Sequence, residues 1–116
     1  MTLSTTQLYE RLGISPEELR AFCVRSPITE LAFFGSILRK DFHLDSDIDI
    51  LVRLTPDHGM SLMDFVDLEY QLSELFHRKV DLVQRKTVES DHNWIRKQAI
   101  LAQTQVVYES RQILSA

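Results

Sequence analysis

The amino-acid sequence predicts an α+β domain in which a small mixed β-sheet packs against helices. About four short segments rich in branched and aromatic residues have the composition of strands, and segments with helical periodicity or helix start signals lie between them. With 116 residues, 44% hydrophobic and 26% charged, residues 1–116 have the size and composition of a single domain with its own core.

The N-terminal part of the chain is predicted to be helical. Thr5 to Leu12 is a short helix candidate, and Gly13 is well placed to end it in a left-handed cap. Ser15-Pro16-Glu17-Glu18 combines an N-cap serine, a first-turn proline and a capping-box glutamate, so a second helix should run from about Pro16 to Val24. The next segment, Thr29 to Phe34, ends in a continuous apolar run, which predicts a strand buried on both faces.

A tight turn at Gly35-Ser36 ends this strand. Ile37 to Phe42 is predicted to form a short helix, and His43 to Ser46 a polar turn. The next strand should run from Asp47 to about Arg53 or Leu54. The predicted order in this region is therefore strand, turn, helix, strand.

The second half of the chain begins with its longest amphipathic segment, which predicts a helix from about Ser61 to Phe76. Its core-facing side chains recur at helical spacing: Leu62, Phe65, Leu68, Leu72 and Leu75. We expect a strand in Lys79-Val80-Asp81-Leu82-Val83 and a helix from near Ser90 to about Ala102. Gln105 to Glu109 should form a last short strand.

Global properties exclude several classes of protein. A net charge of −4 argues against a large electrostatic footprint on nucleic acid, so no direct nucleic-acid binding is expected. The single Cys23 excludes an internal disulfide, and no two of the four histidines stand at zinc-ligand spacing. There is no secretion signal and no apolar run long enough to span a bilayer, so we expect a cytoplasmic protein without membrane association.

Three acidic residues in strand-like segments are the main functional signal. Asp47 and Asp49 are two residues apart, which in a strand places both carboxylates on one face. Asp81 lies in a second apolar strand, and it would join the pair if the two strands are neighbours. Acidic residues are depleted in strands and an unpaired carboxylate is costly to bury, so this pattern indicates a bound cation.

Gly35 and Ser36 precede the acidic pair by ten residues, which are predicted to form a short helix and a turn. Gly35 lets the backbone approach a ligand closely, and Ser36 offers a hydroxyl and backbone amides at a helix start, where anions bind. The connection returns the chain alongside the first strand, so phosphate and metal would meet in one pocket.

Carboxylate oxygens and phosphates are the ligands that Mg²⁺ prefers, so Asp47, Asp49 and Asp81 predict a magnesium site, with two ions as the expected number. In a two-metal site one ion activates an attacking hydroxyl, and a nearby carboxylate accepts its proton. Asp81 is the candidate for that base. The alternative is a structural cluster of ion pairs, which leaves the Gly35-Ser36 pattern unexplained.

Two segments carry the most specific pattern: Phe34-Gly35-Ser36-Ile37-Leu38-Arg39 and Ser46-Asp47-Ile48-Asp49-Ile50-Leu51-Val52. Together they resemble the signature of the DNA polymerase β-like nucleotidyltransferase superfamily. The small size further resembles the minimal nucleotidyltransferases, or MNT proteins, many of which are antitoxins paired with a HEPN-domain ribonuclease toxin.

This resemblance implies a nucleotidyltransferase fold and transfer of AMP from ATP to a hydroxyl, with release of pyrophosphate. The implied acceptor is a tyrosine hydroxyl of a HEPN toxin, bound in a hetero-oligomer. By the same resemblance Gly35 and Ser36 bind the triphosphate, Asp47 and Asp49 hold Mg²⁺, and Asp81 is the third carboxylate. Arg39 is a phosphate contact or a solvated side chain, and Lys40 and Asp41 replace the small residue that commonly follows this arginine.

Two further interpretations stay open. The same fold could neutralise a toxin by binding alone, without catalysis, or it could modify a small hydroxylated molecule such as an aminoglycoside. Four basic residues flank the Asp81 strand and could contact triphosphate, contact an acidic partner or simply be solvated: Arg78, Lys79, Arg85 and Lys86.

Overall fold

The computed structural model describes residues 4–40, 42–43, 45–57 and 59–110. These residues form a four-stranded sheet with five α-helices and one 3₁₀ helix. The helices are α1 (Thr5–Leu12), α2 (Pro16–Val24), α3 (Leu62–Phe76), α4 (Arg85–Glu89) and α5 (Trp94–Leu101), with the 3₁₀ helix at Gly35–Leu38. The strands are β1 (Ile28–Phe34), β2 (Ile48–Leu54), β3 (Val80–Gln84) and β4 (Thr104–Glu109).

The sheet is mixed, as predicted. Its strand order is β3-β2-β1-β4. β1 is antiparallel to both of its neighbours, β2 and β4, whereas β2 and β3 run parallel. The parallel pair places the starts of β2 and β3 side by side.

Local capping signals set the first two helices, and their predicted bounds are confirmed. Gly13 ends α1 at φ 74°, in the left-handed region that glycine adopts without strain. The Ser15 hydroxyl accepts the Glu18 amide at 3.2 Å, and the Glu18 carboxylate accepts the Ser15 amide at 3.1 Å. This reciprocal capping box starts α2 at Pro16.

The helix predicted from Ile37 to Phe42 is wrong. The chain forms only a 3₁₀ helix over Gly35–Leu38, and Arg39 is extended, with φ −107° and ψ 165°. The carbonyls of Ile37 and Arg39 accept hydrogen bonds from the Arg11 guanidinium, which occupies acceptors that a continuing helix would use. Asp41 lies outside the described residues.

The helix predicted from Ser90 to Ala102 is present as α5, but it starts later, at Trp94, and the short helix α4 before it was not predicted. The Asp91 carboxylate accepts the Asn93 amide at 2.9 Å, and the Asn93 side chain caps α5 by accepting the Arg96 amide at 3.1 Å. Such short polar side chains compete with helical hydrogen bonds, so the first residues of the predicted helix form a turn instead.

Alternate residues of β2 and β3 pack against two different layers. Ile48, Ile50 and Val52 belong to the larger core under α1, α2 and α3, together with Val80 and Leu82. Leu51 and Val83 face the opposite layer, where α4 and α5 form a smaller cluster. Because side chains alternate along a strand, Asp49 and Asp81 lie on this second face.

Ion pairs help to hold α4 on the second face of the sheet. The Glu30 carboxylate of β1 lies 2.9 Å from the Arg85 guanidinium, and Arg53 of β2 lies 2.7 Å from Glu89. Arg85, one of the basic candidates from the sequence, is thus engaged within the fold. Its side chain is only 15% exposed.

Helix α3 packs against the larger core through Leu68, Leu72 and Phe76, which are buried. Leu62, predicted to face the core, is instead 78% exposed. It is the first residue of the helix. Among the described residues, none of the helices has both the length and the apolar character that crossing a membrane requires.

Candidate functional site

The three predicted acids come together at the start of the parallel strands. Asp49 is the second residue of β2 and pairs in register with Asp81, the second residue of β3. Asp47 directly precedes β2, so the strand begins one residue later than predicted. Asp47 and Asp81 are exposed, whereas Asp49 is half-buried between the sheet and the 3₁₀ helix.

The electrostatic environment of Asp49 is negative. Partial burial raises the pKa of its carboxyl, and the charges of Asp81 and Asp47 raise it further. Arg39 opposes these effects and lowers the pKa. The protein thus brings carboxylates together without full compensation by its own cations, as expected of a site that receives a positive ligand.

Gly35 lies directly against the Asp49 side chain. Its φ of 76° is in the left-handed region, and a Cβ added at this position would overlap a carboxylate oxygen of Asp49 and lie 3.1 Å from its Cγ. The contact follows from the register, because Phe34, the last residue of β1, pairs with Asp49. Only glycine leaves room for that carboxylate.

Ser36 and Arg39 complete the wall around the acids. The Ser36 hydroxyl donates to the main-chain carbonyl of Asp47, at an oxygen–oxygen distance of 3.3 Å. Arg39 is exposed at the end of the 3₁₀ helix and close enough to Asp49 to influence its pKa. All six residues singled out from the sequence therefore surround one region of the surface: Gly35, Ser36, Arg39, Asp47, Asp49 and Asp81.

The donor set suits a hard divalent cation, since it consists of carboxylate oxygens. Among the residues that the structure describes, no group of three or more His, Cys, Asp or Glu side chains already stands close enough together to hold a metal ion. The acids are adjacent in the backbone, and their side chains are not gathered around a single point.

Arg78, a sequence candidate for triphosphate contact, is engaged elsewhere. Its guanidinium donates to the carbonyls of His43 and Ser46, in the turn that leads to Asp47. Arg11 has a similar role toward the 3₁₀ helix, and the sequence alone did not single it out. A lone arginine on an amphipathic helix carries no local signal of such a distant contact.

Cys23 has no part in the site. It is buried in the larger core, and this burial raises the pKa of its thiol to about 12. The thiol therefore stays protonated and acts as a small apolar side chain.

Comparisons with known proteins show the family of the chain. A family profile described as a nucleotidyltransferase domain matches residues 17–107. The protein adenylyltransferase MntA of Thermococcus cleftensis is 34% identical over 88 residues, which cover 76% of this chain and 84% of that protein.

Solved structures share the fold. A toxin-antitoxin crystal structure with AMP-PNP superposes with a TM-score of 0.63 at 20% identity, covering 86% of this chain and 77% of that chain. A tri-AMPylated Shewanella oneidensis HEPN toxin in complex with its MNT antitoxin gives a TM-score of 0.57 at 18% identity, covering 90% and 77% respectively. Since the family profile and the MntA relative both span most of the chain, the protein belongs to the nucleotidyltransferase domain family, as a nucleotidyltransferase of the minimal, MntA-related kind.

Proposed function

We propose that this protein is a Mg²⁺-dependent protein adenylyltransferase that transfers AMP from ATP to a tyrosine hydroxyl of a HEPN ribonuclease and thereby acts as its antitoxin. The observation that carries the proposal is the contact of Gly35 with Asp49, which puts the glycine-serine turn beside the acids of β2 and β3. The name of the MntA relative and the AMPylated toxin in a similar complex support the choice of acceptor.

In this proposal, Asp47, Asp49 and Asp81 hold Mg²⁺. The exposed side chains of Asp47 and Asp81 rotate toward Asp49, which is already fixed by the sheet and Gly35. The metal, when bound, neutralises charge on the phosphates and favours ionisation of the attacking hydroxyl. Neutralisation of the crowded carboxylates offsets the repulsion that raises the pKa of Asp49.

The other groups position the nucleotide and move the proton. Backbone amides of the Gly35-Ser36 turn cradle the triphosphate, and Arg39 contacts it with its positive charge. The tyrosine oxygen forms a bond to the α-phosphorus while the bond between the α-phosphorus and the bridging oxygen breaks. Pyrophosphate leaves, and Asp81 accepts the hydroxyl proton.

A protein acceptor is favoured over a small molecule by an exposed apolar stripe on α3. We define the α3 stripe by its four members, with exposed fractions of 78%, 73%, 47% and 61%: Leu62, Met63, Val66 and Tyr70. Four large apolar side chains exposed on adjacent turns of one helix form the kind of patch that marks a protein interface. Helix α3 also carries four acids and no basic residue, which complements the basic surface expected of a ribonuclease.

The α3 stripe borders the strand that carries Asp81. The Leu82 amide of β3 donates to the Glu69 carboxylate at 2.8 Å, and the Val80 amide donates to the Ser73 hydroxyl at 3.1 Å. Leu62 and Val66 stand seven residues before Glu69 and Ser73, which places them on the same flank of the helix. A protein docked on the stripe would therefore lie along the later part of the edge strand, beyond Leu82, whereas Asp81 is near the start of that strand and on its other face.

The test is to incubate the protein with ATP, Mg²⁺ and its HEPN partner and to measure the intact mass of the partner. We expect the partner to gain the mass of one or more AMP groups, at a tyrosine that fragmentation identifies. Asp49→Asn should abolish the gain. The matched control is Glu10→Gln, which likewise replaces a carboxylate by its amide, at an exposed position on α1 and outside the α3 surface.

Two results would contradict the proposal. If the partner stays unmodified and Asp49→Asn still suppresses its toxicity, the protein neutralises by binding alone. If label from ATP appears only on small hydroxylated compounds, the acceptor class is wrong.

A further inference from the structure

We infer that Arg11, Phe42 and Arg78 form a brace that sets the path of the connection between Gly35 and Asp47, and that these two arginines are positioning residues. We refer to the three side chains as the Arg-Phe-Arg brace. Its effect on catalysis rests on the proposed adenylyl transfer, whereas its effect on the backbone does not.

Arg11 reaches from α1 to the first half of this connection. One guanidinium nitrogen, Nη1, donates to the carbonyl of Ile37 at 2.8 Å and to the carbonyl of Arg39 at 2.5 Å. The Ile37 side chain is fully buried, so the contact joins a fixed point of the core to the exposed Arg39. Arg11 thereby fixes the backbone on either side of Leu38.

Arg78 reaches from the loop before β3 to the second half of the connection. Its Nη1 donates to the carbonyl of His43 at 3.2 Å and to the carbonyl of Ser46 at 3.3 Å. The same turn is closed by the Ser46 amide, which donates to the His43 carbonyl at 3.0 Å. Ser46 directly precedes Asp47, so Arg78 fixes the backbone that delivers this carboxylate.

Phe42 lies between the two guanidinium groups. Its ring centroid is 4.6 Å from Cζ of Arg78 and 5.7 Å from Cζ of Arg11, both within the range of cation–π attraction. The ring is half-buried and packs against the larger core. Because both arginines use one ring, the two halves of the connection are coupled.

The two arginines of the brace fix backbone next to different parts of the proposed site. The carbonyls held by Arg11 flank the segment between Ser36 and Arg39, on the side of the proposed triphosphate contacts. The carbonyls held by Arg78 lead to Asp47, on the side of the proposed metal. Loss of Arg11 should therefore act mainly on the KM for ATP, and loss of Arg78 mainly on the Mg²⁺ concentration needed for half-maximal rate.

A direct contact between Arg78 and the triphosphate makes a different prediction for Phe42. If Arg78 bound phosphate, Phe42→Leu would leave the positive charge of Arg78 in place and would change activity little. In the brace, the aromatic face is required, so Phe42→Leu should mimic the loss of Arg78 and Phe42→Tyr should restore the wild-type behaviour.

The experiment combines hydrogen-exchange mass spectrometry of residues 36–47 with ATP and Mg²⁺ titrations of the complete protein. Arg78→Gln and Phe42→Leu should each speed amide exchange in this segment about tenfold, the change expected when charge-assisted hydrogen bonds are lost. Phe42→Tyr should exchange like the wild type. Arg25→Gln is the matched control, because Arg25 lies 5.4 Å from the ring of Phe22 in a similar contact far from the acids.

If exchange of residues 36–47 is unchanged in Arg78→Gln and Phe42→Leu, the brace is wrong, whatever happens to activity. If exchange rises as expected and the wild type transfers no AMP, the brace stands and the proposed function fails. Should Arg78→Gln not fold, Arg78→Lys takes its place, since a lysine keeps the charge but lacks the planar group that stacks on Phe42. It should also exchange faster than the wild type, and an unchanged rate would overturn the brace.

Discussion

At the scale of single residues, the space beside Gly35 is the tightest constraint on the acids. Gly35→Ala would place a methyl group on the Asp49 carboxylate and would force an alanine to φ 76°. We expect destabilisation of about 1–2 kcal/mol from the backbone alone. Displacement of Asp49 should add a loss of AMP transfer of roughly a hundredfold, measured as kcat/KM.

Gly13→Ala separates the backbone strain of a left-handed alanine from the displacement of Asp49. Gly13 has nearly the same φ, 74°, and nothing lies within 4 Å of an added Cβ. The variant should lose a similar amount of stability, measured by urea unfolding, while AMP transfer is retained. Equal losses of activity in the two variants would show that the close approach to Asp49 does not matter for function.

The Asp49 carboxylate should lower the free energy of unfolding of the metal-free protein. Its pKa is raised by partial burial and by the neighbouring acids, so the folded state binds the proton more tightly than the unfolded chain does. At neutral pH, Asp49→Asn should therefore raise the free energy of unfolding, by roughly 1 kcal/mol or less, although it abolishes transfer.

This dependence of stability on pH is opposite to that of a carboxylate in an ion pair, whose pKa is lowered by folding. As the pH falls through the raised pKa toward the ordinary range of an aspartate, the wild type becomes protonated and its disadvantage fades. Urea unfolding at a series of pH values without metal measures this. A variant that is less stable than the wild type at neutral pH would contradict it.

At the scale of elements, the features that could be predicted are those set by residues close together in the sequence. The bounds of α1 and α2 follow from Gly13 and from the Ser15 capping box, whose partners are three residues apart. For Asp81 the sequence sets only a condition, that its strand lies beside the strand of Asp49, and the register of β2 with β3 meets that condition.

Distant contacts account for what the sequence could not predict. The connection after Gly35 depends on Arg11, which is 26 residues away from Ile37 along the chain, so the residues of the connection alone could not show that the helix predicted there is absent. The exposed position of Leu62 could not be predicted either, because helical spacing gives the face of a helix on which a side chain lies and not how much of that face is covered. The roles of the site residues themselves are still predictions, since the fold places them without showing chemistry.

The α3 stripe makes a prediction about the partner. Val66→Glu should weaken the complex with the HEPN protein by tenfold or more, because it puts a charge at the centre of an apolar contact. Val24→Glu is the control, since Val24 is 64% exposed and lies on α2. Isothermal titration calorimetry of both variants measures the effect, and similar affinities for the two would exclude the α3 stripe as the docking surface.

At the scale of the whole molecule, the acids belong to neither of the two hydrophobic clusters. The larger core gathers α1, α2 and α3 on one face of the sheet, and the smaller cluster lies under α4 and α5 on the other. No acidic side chain is buried among the described residues. The fold should therefore form without metal, and chelators should leave its circular dichroism spectrum unchanged.

Bound metal and nucleotide should then stabilise the folded protein by mass action. With Mg²⁺ and AMP-PNP a hundredfold above their dissociation constant, the gain is about 2.7 kcal/mol, which corresponds to a rise of roughly 10 °C in Tm for a domain of this size. AMP-PNP with excess chelator should give a much smaller shift, because phosphates complete the coordination of the ion. Asp49→Asn should remove most of the shift, and an equal rise in that variant would show that the acids of β2 and β3 do not bind the metal.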